Sequence, residues 1–385
     1  MTLEPREAAG AGVDFDAALQ LEAAAWRTWL FDAALPLWAE HGCNPAGGFF
    51  DCLDDDLRPA GEVMRLRVQA RQVFVFAQAA KLGWRGPWRA MVRHGLDFLL
   101  GVATLEDGVV ASRFDLDGSR MEDAPDLYDQ GFALLAYASA FELLGDELAR
   151  SAAFKLMRRL NQRRDAFGGY LELPGFPPTP RANPQMHLLE AVLAWRGLDP
   201  DPIWEEAAAS LAKLCVTRLI NESTGALTEF FNESWRPAPG DLGRLTEPGH
   251  HYEWGWLLQQ QSAEHARAAG ALCWRAETLG VDPGRGVAIN AIDTHGSVLD
   301  ASARMWPQCE RLRATLTMRR EDPVWAASAL QASRALARYT QAGRAGLWRD
   351  VMEVDGTLRV QPAPVSSLYH IVSALIELLP LAVRD

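Results

Sequence analysis

Apolar positions along this chain recur mostly at helical spacing. Leu127, Phe132, Leu135, Ala136, Ala138 and Leu143 form one such stripe and predict a helix over 126–144. The same periodicity predicts helices near 15–41, 66–82, 86–100, 146–163, 185–196, 202–219, 250–264, 265–280, 304–320, 323–341 and 367–380. Proline in the first turn punctuates three starts, at Gly86-Pro87, Asp201-Pro202 and Asp322-Pro323. About twelve helices result.

The segments between helix pairs resemble one another. They read Gly48-Phe49-Phe50-Asp51, Gly108-Val109-Val110-Ala111, Gly169-Tyr170-Leu171-Glu172, Gly225-Ala226-Leu227-Thr228, Gly296-Ser297-Val298-Leu299 and Gly346-Leu347-Trp348-Arg349. These glycines stand 60, 61, 56, 71 and 50 residues apart. A recurring spacing of about 60 residues implies repeats, each a helical hairpin with a short β-like excursion. Hairpins apolar on both faces must stack to bury themselves. An open solenoid needs a polar cap at each end, yet the last helix, Leu368 to Leu379, is strongly apolar. The expected fold is therefore all-α: a closed (α/α)6 barrel with short β-hairpin-like loops, one catalytic domain over residues 1–385.

Composition changes that picture little. The chain has 385 residues, 49% hydrophobic and 23% charged, which is ordinary for a folded protein. A length prior of two or three domains gives way to the repeat. Net charge is −12, which argues against a nucleic-acid-binding face. Only Lys81, Lys155 and Lys213 are lysines, a bias read as coding rather than function. Cys43, Cys52, Cys215, Cys273 and Cys309 are scattered and odd in number, which fits a reducing cytosol. Met1-Thr2-Leu3-Glu4-Pro5-Arg6 shows no leader pattern, and no apolar run is long enough to span a bilayer, so no membrane is expected. The N-E-S triplets at Asn221 and Asn232 have no meaning in a cytosolic protein. Fourteen tryptophans suit either core packing or stacking on sugar rings.

Candidate chemistry lies at helix starts. His250 and Glu253 are i and i+3 after Glu247-Pro248-Gly249, so they share a helical face. A carboxylate so placed orients a histidine and raises its pKa; a first-turn capping cluster is the plain alternative. Asn183-Pro184-Gln185-Met186-His187 is a second polar start, equally readable as an N-cap and a core histidine. His370 lies in the apolar last helix, where a histidine is commonly a satisfied core residue. Arg71 lies among Val68, Val73, Phe74 and Phe76 and needs a partner. Arg304-Met305-Trp306-Pro307-Gln308-Cys309-Glu310 gathers a ring, an amide and a carboxylate, groups that bind sugars but also begin ordinary helices. His41, His94, His265 and His295 read as structural or surface. No phosphate-binding glycine loop, nucleophile elbow or H-E-x-x-H zinc motif occurs.

Five segments together resemble the N-acylglucosamine 2-epimerase superfamily, which includes cellobiose and mannose 2-epimerases and cofactor-free mannose isomerases. They are Arg67 to Gln72, Asn183 to Glu190, Glu247 to Trp254, Arg304 to Gln308, and Tyr369-His370. They run in order over residues 67–370, nearly the whole chain. The resemblance implies an (α/α)6 barrel without cofactor or metal. It implies His250 and His370 as the acid/base pair, Glu253 as the support of His250, and Arg71 and His187 as catalytic partners. Asn183, Trp306, Gln308, Glu310 and Tyr128 are then expected to bind substrate. Epimerases of the family often carry a tryptophan just before the final histidine. Here that stretch is Pro364-Val365-Ser366-Ser367, a departure that points away from a disaccharide epimerase.

The implied chemistry is proton transfer beside a carbonyl through a cis-enediol(ate). The close spacing of the H-H-Y-E-W and W-P-Q segments most resembles the mannose isomerase branch, with a 2-epimerase as alternative. The expected partner is a small monosaccharide; oligomeric state is left open. Three other classes were weighed. A metal-dependent enzyme would use His187, His250, His251 and Glu253. A two-carboxylate glycosidase would use Glu253 and Glu310. A non-catalytic scaffold would leave the convergent segments without a purpose.

Overall fold

The computed structural model describes residues 14–121, 124–175 and 179–382; the stretch Met1–Arg6, read above for a leader, lies outside them. In chain order the helices are α1 (Phe15–Thr28), α2 (Leu35–His41), α3 (Leu66–Lys81), α4 (Trp88–Phe98), α5 (Leu127–Leu144), α6 (Glu147–Asn161), α7 (Ala182–Arg196), α8 (Pro202–Leu214), α9 (Pro248–Gln261), α10 (Ala266–Leu279), α11 (Met305–Met318), α12 (Trp325–Thr340) and α13 (Ser366–Leu378). A π-turn at Trp29–Ala34 joins α1 and α2 into one rod, so the helices form twelve rods.

Capping chemistry sets several ends. Asp14, Asp126, Asp146 and Asp201 each accept backbone N–H groups at the starts of α1, α5, α6 and α8. Gly145, at φ 64°, stops α5 one residue before Asp146 starts α6, which makes a tight hairpin.

Packing separates the rods into two layers. α3, α5, α7, α9, α11 and α13 contact each other in that order, and α13 packs back on α3. The ring is thus closed by the helix whose apolarity argued for closure. The inner helices are buried nearly all round; in α11 every residue from Met305 to Met318 is buried. The outer rods are one-sided: α4 buries Val92, Gly95, Leu96 and Phe98 and leaves the rest toward solvent. Among the described residues, no helix is long and apolar enough to cross a membrane.

The loops preceding the inner helices carry the repeat, with one correction. The glycines that turn the chain are Gly48, Gly108, Gly168, Gly225, Gly286 and Gly346, all at φ between 68° and 95°. They stand 60, 60, 57, 61 and 60 residues apart. The fifth is therefore Gly286 rather than Gly296, and the third shifts by one. Gly296 turns a separate hairpin between Ala291–Asp293 and Val298–Asp300. What the repeat requires is a left-handed residue just before the segment that leads to an inner helix, and two glycines ten residues apart competed for that reading.

Five of the six such segments are held by a clasp. Gln69 accepts from the Phe49 N–H at 2.6 Å and donates to its carbonyl at 2.9 Å. Gln130 treats Val110 alike, Gln185 treats Tyr170 alike, and Gln308 holds Ala288 at 2.8 and 2.7 Å. In the fourth repeat His251 takes the glutamine's place. Its Nε2 accepts from Leu227 N–H at 3.1 Å, while Nδ1–H donates to the Glu247 carbonyl at 3.0 Å. Gln308, expected to bind substrate, is instead fully buried, with its amide committed to backbone.

Short antiparallel strands knit the loops into a wall at the N-terminal ends of the inner helices. Cys52–Leu53 pairs with Ala363–Pro364, which joins the first loop to the last. Met64–Arg65 pairs with Arg113–Phe114, and Ala303–Arg304 with Val351–Met352. Leu245–Thr246, Ala291–Asp293 and Val298–Asp300 form a three-stranded sheet. Replacing Gln308 by Leu strands two buried backbone groups, so it is expected to lower unfolding stability by about 1–3 kcal/mol per unsatisfied group. Urea denaturation of the variant against the native chain measures it.

Candidate active site

The inner-helix starts point their side chains into one chamber beneath this wall. Trp306, 7% exposed, stands at its centre on α11. The His250 ring, on α9, lies 5.0 Å from it and the His370 ring, on α13, lies 5.5 Å from it. Gly249 lets Trp306 seat here, because a Cβ on that glycine would come within 2.5 Å of the indole. Opposite are Arg71, Tyr128 and His187. Arg71 donates to the Tyr128 hydroxyl at 2.7 Å and lies over the rings of Phe132 and Tyr369. Tyr128 in turn meets the His187 ring edge-on at 4.9 Å. Asn183 sits in the first turn of α7 with a buried Oδ1 that has no partner.

Each chamber histidine has its own carboxylate, but the pairing corrects one expectation. His250 Nδ1 lies 3.0 Å from Glu229, at the end of the fourth loop, and 4.0 Å from Glu247. Glu253, expected to support His250, has both oxygens unpartnered and comes nearest to His187 Nδ1, at 3.7 Å. Sharing a helical face placed Glu253 deeper in the ring, while His250 leans outward to the loop. His370 Nδ1 meets Glu310 at 2.6 Å, so Glu310 supports a histidine rather than reaching for substrate itself.

Electrostatics divide the two histidines. Burial alone pulls His250 down, but Glu229, Glu247 and Glu253 outweigh it and hold it up at about 10. Burial pulls His370 well below its ordinary value, and the Arg71 charge adds to that. His187 is likewise neutral, brought to about 4 by burial. His251, committed to backbone, is also lowered to about 4 by burial. At neutral pH His250 is thus an imidazolium and His370 a neutral imidazole.

Below the histidines lies a dry floor that the sequence reading missed. Arg313, 4% exposed, contacts Glu190 at 3.1 Å and Glu310 at 3.5 Å, and stacks 3.4 Å over the Trp256 ring. Glu190 also accepts from the Tyr369 hydroxyl and lies 3.5 Å from His187. Burial raises Glu190, but His187, Arg313 and Tyr369 outweigh it and bring it to about 2. Burial, Glu310 and Glu190 push Glu253 well above the carboxylate range. Burial lifts Glu310 as well; Arg313 opposes and Glu190 adds, leaving it at about 7.

Among the described residues, three acid–histidine groups bring ligand-type atoms within 4.8 Å of one another. They are His187/Glu190/Glu253, Glu229/Glu247/His250 and Glu253/Glu310/His370. In each, the chain already supplies positive charge: Arg313 on Glu190 in the first and on Glu310 in the third, and the His250 imidazolium in the second. His251, weighed as a ligand, faces away into the loop.

One signal was present for the missed Glu229. Acids follow the turning glycine by three or four residues at Asp51, Glu172, Glu229 and Asp350. Asp51 meets Arg65, Glu172 meets Arg181, and Asp350 accepts from Ser367. Glu229 is the member of this series whose partner is a histidine.

The closed six-hairpin ring thus gathers one cationic and one neutral histidine about a tryptophan, and the relatives it resembles are sugar isomerases and epimerases. The family model described as N-acylglucosamine 2-epimerase (GlcNAc 2-epimerase) matches residues 48–374, and the chain belongs to that family. It is 38% identical over 378 residues to "Mannose-6-phosphate isomerase" of Rhizobium meliloti (strain 1021), covering 94% of this chain and 97% of that one. It shares the fold of the cellobiose 2-epimerase from Spirochaeta thermophila DSM 6192, with TM-score 0.85, 22% identity and coverage of 96% and 98% of the two chains. A solved D-mannose isomerase superposes with TM-score 0.83 at 20% identity, covering 96% of this chain and all of that one.

Replacing Glu229 by Gln removes the nearest charge that raises His250. The His250 titration is expected to move down by about 1–3 pH units, read by ¹⁵N NMR of the labelled histidines. An unmoved His250 would contradict the pairing.

Proposed function

We propose that the protein interconverts D-mannose and D-fructose as an aldose–ketose isomerase. The observation that carries the reading is the pair of histidines, one cationic and one neutral, whose rings both lie against Trp306. Groups whose surroundings drive their pKa values apart divide naturally into acid and base. In this reading the open-chain aldose lies against Trp306. Neutral His370 takes the C2 proton through Nε2, and the His250 imidazolium gives a proton to the C1 carbonyl oxygen. A cis-enediol results. The Nε2 proton of His370 exchanges with solvent at the enediol stage; His370 then protonates C1, while His250 recovers a proton from the C2 hydroxyl, leaving a ketone at C2. Arg71 and His187, each with an unpartnered nitrogen, lie beside the site to stabilise the developing oxyanion.

The charges at the mouth favour an unphosphorylated hexose. Arg65 is paired with Asp51, Arg67 with Asp126 and Asp129, and Arg181 with Asp126 and Glu172. Arg304, the most open of them, still faces Asp350 at 3.9 Å. A phosphate dianion would have to displace these acids. The five unpaired cysteines suit a reducing cytosol.

A 2-epimerase is the second reading, favoured by a second, protonated histidine against Trp306. If His250 protonated C2 from the opposite face, the product would be glucose. Incubation with mannose in D₂O tests both readings. Fructose as first product, with deuterium at C1, supports the isomerase; glucose first overturns it in favour of the epimerase. His250→Ala and His370→Ala are each expected to lose about 10²–10⁴ in turnover while remaining folded by circular dichroism. Activity is expected to survive dialysis against a chelator. The rate should rise with pH through about 7, as the Glu310–His370 pair loses its extra proton, and fall toward about 10, as His250 deprotonates.

A further inference from the structure

Arg313 touches no group that faces the chamber, yet it is the guanidinium of the floor. On its other side lies a second cavity of about 300 Å³ at the opposite end of the ring, among Phe74, Leu135, Leu193, Trp256 and Ile376. Arg313 reaches His370 by its charge at a distance and by contact through the carboxylate of Glu310.

We propose that Arg313 is a positioning residue that fixes which nitrogen of His370 carries the proton. The 2.6 Å contact between His370 Nδ1 and Glu310 requires one proton between them. If Glu310 is ionised, that proton sits on Nδ1, and Nε2 keeps the free lone pair that a base needs. If Glu310 is protonated, it donates to Nδ1, and the histidine's own proton moves to Nε2, where it blocks proton abstraction. The charge on Glu310 therefore selects the tautomer.

The groups around Glu310 decide that charge. From α7 come Glu190 and His187, and from α9 Glu253. From α13 come His370 and Tyr369, with Arg71 of α3, Arg313 itself and Arg304 acting on His370. The neighbouring carboxylates oppose ionisation of Glu310, and so does its full burial. Arg313 is the cation in contact with it. The guanidinium is held on three sides, by Glu190, Glu310 and the Trp256 ring, so its charge has a fixed place.

The inference rests on His370 being the base of the proposed reaction, but its first test needs no turnover. In ¹⁵N NMR of the native enzyme at pH 8, His370 is expected as the Nδ1–H tautomer, its signals assigned by their loss in His370→Asn. Finding Nε2–H there would overturn the proposal whether or not the enzyme is an isomerase. In Arg313→Gln, the tautomer is expected to switch to Nε2–H at the same pH. With mannose as substrate, kcat should fall about 10²–10⁴-fold, as when a protease histidine loses its orienting carboxylate, with KM changed less than about threefold. Loss of the guanidinium raises Glu310, so the acid limb of kcat/KM should move to higher pH by about one unit or more. Arg313→Lys, which keeps the charge, should restore the limb. A native tautomer and an unmoved limb in Arg313→Gln would show a merely structural role.

Discussion

The structure depends on ring closure. Six inner helices that are apolar on both sides have no stable arrangement as an open row, since the first and last would each leave a face to water. Packing of α13 on α3 removes both faces at once, and the Cys52–Leu53 to Ala363–Pro364 pairing closes the loop wall at the same seam. Closure also brings together residues from opposite ends of the chain. His370 on the last inner helix meets Arg71 on the first through its charge, and Glu310 on the fifth through a hydrogen bond. No hairpin alone contains the site.

A closed ring has a dry centre, and this dictates how its polar groups behave. At the mouth, arginines and acids neutralise one another pair by pair. At the floor, Glu190, Glu253 and Glu310 share a single buried guanidinium, Arg313. Charge there is expensive, so the acids titrate differently from one another. Glu190 keeps its charge, Glu253 is driven toward the neutral form, and Glu310 stands between. Three chemically alike side chains thus acquire three different states from position alone, and the histidines above inherit those differences.

Much of the architecture was legible in the sequence because it rests on periodicity. Helix pairs, the sixty-residue spacing and the apolar last helix led to a closed ring of twelve rods. The fifth glycine was misplaced because spacing does not reveal backbone handedness; Gly286 and Gly296 both have positive φ, in different turns. In the site, residue types were readable but their partners were not. His250 and Glu253 share a helical face, yet the partner of His250 comes from a loop 21 residues earlier. Gln308 lies in a sugar-binding kind of motif, but the same glutamine recurs at Gln69, Gln130 and Gln185 as a backbone clasp. Arg313 was passed over because an arginine on a helix ordinarily reads as solvated face. Only the closed ring shows that α11 has no solvated face.

The different protonation states of His250 and His370 also bear on how one scaffold can serve both isomerisation and epimerisation in the reading proposed above. An enediol needs one base to form, and that base can return the proton to the neighbouring carbon on the same face. Epimerisation needs a proton from the other face, so a second group must already hold one. His250 holds one over the whole range below about 10, chiefly because Glu229 and Glu247 lie beside it. The donor for epimerisation is therefore present even in an isomerase. What separates the outcomes is whether C1 or the far face of C2 is nearer to a donor, a matter of how the sugar lies on Trp306.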